Sequence, residues 1–100
     1  MNFYVTGPAA ADLAELWDGY LERGGTEDNA TQLFDNLFRL FQRLADLPNL
    51  GSPRSYLSAG TLALPYKRYM IIYRERVEGV DILNVLYGGM DLESYFSSQD

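Results

Sequence analysis

Leu64-Pro65-Tyr66-Lys67-Arg68-Tyr69-Met70-Ile71-Ile72-Tyr73-Arg74, followed after a short turn by Gly79-Val80-Asp81-Ile82-Leu83-Asn84-Val85-Leu86-Tyr87-Gly88-Gly89-Met90-Asp91, decides the fold of this chain. Both runs are rich in β-branched and aromatic residues and are separated by a few polar residues and a glycine, the pattern of a β-hairpin. Extending the reading upstream gives strands near 60–66, 68–76 and 80–87, with Gly79 in the tight turn. Three sequential strands with short connections form an antiparallel meander. The first hairpin also carries an adjacent Lys-Arg pair, a cationic spot held by rigid strands.

Before the meander the hydrophobic period changes. Leu13, Leu16, Trp17, Tyr20 and Leu21 recur at helical spacing, with Asp12, Glu15, Asp18 and Glu22 largely on the other side, so residues 8–23 read as an amphipathic helix. A second helix runs from Glu27 to about Leu47 and carries Leu33, Phe34, Leu37, Phe38, Leu40, Phe41 and Leu44 before Pro48 stops it. Its apolar stripe is wider than a single-layer core needs, which suggests that a partner segment or a second copy covers part of it. Trp17, Phe34, Phe38 and Phe41 are expected in the core. Gly24-Gly25 between the helices implies an antiparallel helical hairpin, and Phe3-Tyr4-Val5 ahead of Thr6-Gly7-Pro8 reads as a short first strand. The expected fold class is therefore α+β: a short N-terminal strand, then an antiparallel two-helix hairpin packed on an antiparallel β-sheet whose C-terminal part is a three-stranded meander. One domain spans residues 1–100.

Composition narrows the chemistry. The chain has no cysteine and no histidine, which removes thiolate metal sites, disulfides and the commonest general base. The carboxylate pairs Asp12/Glu15 and Asp18/Glu22 are read as a solvated helix face rather than a hard-cation site, and no metal or cofactor is expected. No stretch approaches the ~18 consecutive apolar residues of a membrane span, and the N-terminal residues lack a basic region followed by an apolar run, so a cytoplasmic location is the expectation. Net charge is −6, yet it is unevenly spread: residues 1–46 hold eight acids and three bases, whereas residues 47–89 hold three acids and five bases. Specific DNA binding by an acidic protein is not expected, since that affinity rests on neutralising phosphates, but a local cationic patch can grip an acidic partner.

Taken together, Ala11-Asp12-Leu13 through Leu16-Trp17, Phe41-Gln42-Arg43-Leu44-Ala45-Asp46-Leu47-Pro48-Asn49-Leu50-Gly51-Ser52-Pro53-Arg54, and the strand sequences above resemble the RelE/ParE superfamily of type II toxin–antitoxin toxins, nearest the ParE branch. The resemblance runs over nearly the whole chain. It implies a toxin neutralised by a cognate, ParD-like antitoxin, either as a hetero-oligomer or with a homodimer involved, in systems that include plasmid stabilisation. The ParE-like expectation is inhibition of DNA gyrase by protein binding, without catalysis. The alternatives are a RelE-like ribosome-dependent mRNA endoribonuclease and an inactive binding domain of the same fold. The last strand of such toxins commonly ends in a His-Gly-x-Arg-Asp-like string; here Tyr87 stands at the histidine position and Met90 at the arginine position. That departure favours a protein contact over phosphodiester cleavage.

The resemblance and the charge pattern together select the candidate residues. As a partner or target surface they are Arg54, Lys67, Arg68, Arg74, Tyr87, Met90, Asp91, Tyr95 and Phe96. Under the endoribonuclease alternative, Arg54, Lys67, Arg68 and Tyr87 surround the scissile phosphate. Structural readings stand beside these. Lysine guards strand edges against mispairing, Arg54 can pair with an acidic helix, Arg74 and Arg76 can pair with Glu75, Glu78 or Asp81, and Tyr73 and Tyr87 can be strand tyrosines half buried against the second helix.

Overall fold

The structure, a computed structural model, describes residues 1–54 and 59–87. Its elements run β1 (Asn2–Val5), α1 (Gly7–Glu22), α2 (Glu27–Asp46), a 3₁₀ turn (Pro48–Leu50), β2 (Ser52–Pro53), β3 (Thr61–Tyr66), β4 (Tyr69–Arg76) and β5 (Gly79–Tyr87). The five strands make one sheet in the order β1-β5-β4-β3-β2. The meander is antiparallel, as its short connections dictate. The first strand instead joins parallel to β5, Asn2 opposite Gly79 and Val5 opposite Ile82, so the sheet as a whole is mixed. A crossover through two helices delivers the chain to the far side of the sheet in the orientation that allows this pairing.

Both helices begin on a threonine. Thr6 Oγ1 accepts the Ala9 N–H at 3.4 Å and donates to the Ile82 carbonyl at 2.8 Å, so one hydroxyl caps α1 and ties it to β5. Thr26 caps α2 through the Asn29 N–H at 3.1 Å, with Glu27 and Asp28 in the first turn facing the positive end of the helix dipole. The helices cover one face of the sheet. Leu37, Phe41 and Leu44 of α2 meet Ile71, Tyr73, Val80 and Ile82, all fully buried. Each such aliphatic or aromatic side chain contributes about 1.5–3 kcal/mol relative to exposure. Strand alternation sends Ala63, Ile72 and Leu86 to the opposite face, where they form a second, smaller cluster.

A β-bulge breaks the ladder between the last two strands. Ile72 opposes Asn84 while Tyr73 opposes Ile82, which leaves Leu83 as the extra residue. Asp12 resolves the consequence: its Oδ2 accepts the Val85 N–H at 3.0 Å and the Asn84 side-chain amide at 3.1 Å. Asp12 therefore does structural work at the helix–sheet junction. Asp12→Ala leaves the Val85 N–H without its acceptor and is expected to destabilise the fold by about 1–3 kcal/mol, read as a lower urea midpoint at unchanged slope.

Not every predicted core aromatic is enclosed. Phe41 is fully buried, Trp17 and Phe34 are half-buried, and Phe38 is 38% exposed. They form a chain of edge contacts, Trp17 to Phe34 at 5.2 Å and Phe38 to Phe41 at 5.5 Å between ring centres. The correction follows from geometry: Phe38 lies on the outer flank of an apolar stripe too wide for one sheet to cover.

Candidate functional site

The joint between the helices is built for close approach. Gly24 takes φ 92°, its N–H bonds the Leu21 carbonyl and the Gly25 N–H bonds the Tyr20 carbonyl, the paired bonds of a Schellman terminus. The Tyr20 ring then lies directly on Gly25, where a Cβ would meet Tyr20 Cε1 at 2.1 Å. One turn earlier, the Arg23 guanidinium folds over Gly19, a hypothetical Cβ there falling 2.9 Å from its Nη1. Glycine inside a helix costs about 1 kcal/mol against alanine, and here it makes room for a cation. Both glycines thus hold a side chain against the surface of the joint.

Facing this joint is the turn between β3 and β4. Tyr66 pairs with Tyr69, so Lys67 and Arg68 are the whole of a two-residue hairpin loop. Lys67 has φ 54°, and it is the only non-glycine residue among those described with positive φ. A glycine or asparagine normally fills such a position, since an L side chain there carries strain on the order of 1–2 kcal/mol. Lys67 Nζ sits 5.5 Å from the centre of the Tyr66 ring. Across the sheet Tyr69 and Tyr87 meet edge to face at 6.4 Å.

Between the joint and the turn opens a cleft of about 1110 Å³. Arg23, Lys67 and Arg68 bring three cations to it, Tyr20, Tyr69 and Tyr87 three phenol rings, and α2 lends Asn29, Gln32 and Asn36 from successive turns. No carboxylate is among the described residues that line it. Among the described residues neither Arg23, Lys67 nor Arg68 has an ion-pair partner. This is the locally cationic region that the charge distribution indicates, but it gains Arg23 and Tyr20 from the far side of the chain.

The predicted site residues divide. Lys67, Arg68 and Tyr87 come together in the cleft, and Tyr87 is 51% exposed, not half buried against α2. Arg54 and Arg74 do not join them. The Arg54 N–H bonds the Thr61 carbonyl and Arg74 lies opposite Thr61, at the other end of β3 from the Lys67-Arg68 turn. Five residues of strand put that end roughly 16 Å away. Sequence proximity gives no sign of this, because the loop after Pro53 re-enters the sheet at the distant end of β3. Arg76 pairs with Asp81 at 2.9 Å and covers the Tyr4 ring at 4.2 Å, so it too is occupied elsewhere. Met90, Asp91, Tyr95 and Phe96 lie outside the described residues.

Two further features bear on function. A second hollow of about 480 Å³ between α1, α2 and β1 is lined by Val5, Leu13, Trp17, Phe34 and Phe38, with Asp18 the only charged side chain among the described residues that line it. Tyr73, by contrast, is sealed in the core: its hydroxyl donates to the Pro48 carbonyl at 2.6 Å and accepts the Gly51 N–H at 2.7 Å. Burial raises its pKa, the Gly51 hydrogen bond opposing and the Glu75 charge adding to the rise. It is a structural phenol. Among the described residues no cluster of three or more Asp, Glu, His or Cys is arranged to hold a metal, and no helix is long and apolar enough to cross a membrane.

Comparison with known proteins places this arrangement. A solved structure described as the chromosomal ParDE TA system from P. aeruginosa superimposes with a TM-score of 0.71 at 22% identity, covering 87% of this chain and 95% of that one. That likeness establishes the same fold. No curated protein matches the sequence. A model of the ParE toxin of the type II toxin–antitoxin system, parDE, matches residues 3–92, and the chain belongs to that family.

Proposed function

We propose that this ParE-family toxin acts by binding DNA gyrase through the cationic cleft, without bond-breaking chemistry of its own, and that it works in the cytoplasm. The observation that carries this reading is the separation of the cations. Lys67, Arg68 and Tyr87 share the cleft, while Arg54 lies at the other end of β3. A phosphodiester-cleaving centre needs its acid, base and charge-stabilising groups within about 3 Å of the reacting atoms, and these four residues do not surround one such point. A protein contact asks only for complementary charge and shape.

The family implies an antitoxin partner. We assign the antitoxin's apolar segment to the hollow beside Trp17, Phe34 and Phe38, where partly exposed aromatics offer anchor sites and Asp18 is the one charged group among the described lining residues. Toxin and antitoxin then form a hetero-oligomer, with plasmid or chromosomal maintenance as its role.

The test is a supercoiling assay with purified gyrase. The wild-type protein is expected to inhibit supercoiling, and Lys67→Ala with Arg68→Ala to weaken that inhibition at least about tenfold, the loss expected when charge-assisted contacts are removed. Stoichiometric antitoxin restores gyrase activity. Folded toxin that leaves gyrase untouched and instead gives codon-positioned cuts in primer extension after in vitro translation would overturn the proposal in favour of the endoribonuclease reading.

A further inference from the structure

The chemistry of the cleft is more specific than a generic basic patch. Three cations and no described carboxylate line a concave space of about 1110 Å³. That exceeds what one carboxylate side chain fills and lies just above the usual range of sites for small organic ligands, about 300–1,000 Å³, which leaves room for one of nucleotide size. Opposite the cations, Asn29, Gln32 and Asn36 sit at i, i+3 and i+7 on α2, so a row of side-chain amides faces inward. Each amide offers both a donor and an acceptor, the complement of a nucleobase edge. Tyr20, Tyr69 and Tyr87 add flat rings on the helix side and the sheet side, and aromatic faces are the usual support for a base.

The walls are also prepared in advance. Tyr20 is seated on Gly25 and Arg23 lies over Gly19, so the joint itself brings a ring and a cation to the cleft wall. Lys67 holds φ 54° where glycine would relieve the strain. Strain kept at a cation that faces a cleft points to a task for that side chain. Charge around the site selects against a long polyanion. Glu22, Glu27 and Asp28 stand on the exposed ends of α1 and α2 next to the lining residues Arg23, Thr26 and Asn29, and the whole chain carries −6. A compact anion avoids that surface, whereas an extended strand runs across it.

We infer that the cleft between the α1–α2 joint and the β3–β4 turn is a binding site for a free nucleoside phosphate. Its phosphates lie against Lys67, Arg68 and Arg23, and its base lies among the tyrosines and the amide row of α2. The site is the one used in the proposed gyrase contact, but nucleotide binding is a property of the isolated protein and stands or falls without gyrase.

The experiment is a titration of purified protein followed by calorimetry and by chemical-shift changes at Tyr20, Asn29 and Arg68. The probes are ADP, AMP, adenosine, inorganic phosphate, a single-stranded oligonucleotide of about ten residues and a hexaglutamate peptide. Saturable ADP binding is expected, weaker for AMP, at least about tenfold weaker for adenosine or phosphate alone, and weakened by added salt. Arg68→Ala is expected to reduce ADP affinity about tenfold or more, while Arg39→Ala, on the exposed side of α2, leaves it unchanged. Lys67→Gly gives the sharpest separation. It should raise the melting temperature by releasing backbone strain and yet weaken ADP binding, so misfolding cannot account for the loss. The proposal is overturned if ADP does not bind at millimolar concentration, if the oligonucleotide or hexaglutamate binds more tightly, or if Lys67→Gly and Arg68→Ala bind ADP as the wild type does.

Discussion

Gly79→Ala is expected to cost this domain a large share of its stability. Gly79 opens β5 at φ 148°, and a Cβ built there falls 1.6 Å from the Asn2 carbonyl oxygen and 2.9 Å from the Asn2 nitrogen. Those are backbone atoms and cannot swing aside. Backbone strain at such a φ is worth roughly 1–3 kcal/mol, and the overlap adds roughly 1–3 kcal/mol more. The only relief is for β1 to leave the sheet. That breaks the Asn2 N–H to Glu78 carbonyl bond at 2.9 Å and uncovers Phe3, which packs 5.6 Å from Phe41 between ring centres. A domain of this size has roughly 5–15 kcal/mol in total, so a large share is at stake. Equilibrium urea unfolding checks this, and a midpoint within error of the wild type would show that β1 is not held against Gly79 as described.

The second large effect is expected at Tyr73. Tyr73→Phe keeps the ring and deletes one oxygen, so the packing among Ile71, Leu44 and Val80 is preserved. What it removes is the lock on the 3₁₀ turn. The buried Gly51 N–H and the part-buried Pro48 carbonyl both lose their partner, a destabilisation of about 1–3 kcal/mol. Substituting Gly51 acts on the same lock from the other side, because a Cβ there would sit 2.5 Å from the Tyr73 hydroxyl. The phenol also gives the fold a signature in alkali. Its pKa is raised above the ordinary 10.0 chiefly by burial. The folded state therefore keeps a proton that the unfolded chain has released. Its contribution is complete below pH 10 and declines as pH rises above it. Stability measured from pH 8 to 11.5 should fall less steeply in Tyr73→Phe than in the wild type; equal slopes would show that the phenol ionises as freely in the fold as in the open chain.

The sequence made the elements legible where a period or a special residue marked them. Leu13, Leu16, Trp17 and Tyr20 place α1, and Pro48 ends α2 within a residue or two of the observed Asp46. The meander follows from apolar runs and short turns, as Lys67-Arg68 and Val77-Glu78 show. Relations across the chain were not legible. Nothing local to Asn2–Val5 indicates a parallel partner, since that pairing depends on where two helices deliver the strand. Tyr73 shows its role only once Pro48 and Gly51 are brought beneath it, 25 and 22 residues away. The candidate site was half visible. Lys67, Arg68 and Tyr87 stand out as charge and ring on strands, whereas Arg23 and Tyr20 look like an ordinary helix end until Gly19 and Gly25 are seen to accommodate them. Arg54 lies at the other end of β3 from Lys67 and Arg68, a separation the sequence does not show, because a strand has two ends and nothing local says which one a neighbouring loop meets.

The pairing of β1 with β5 also sets when the fold can close during synthesis. Thr6 reaches the Ile82 carbonyl across 76 residues of chain, and every ladder contact of β1 is of this long-range kind. Such contacts close slowly, and none is available until the last strand has left the ribosome. A chain interrupted before β5 lacks the strand that joins β1 to the meander, so no such product has the cleft, whose wall includes Tyr87. Closure of the sheet, and with it the Tyr87 wall of the cleft, therefore waits on translation through β5.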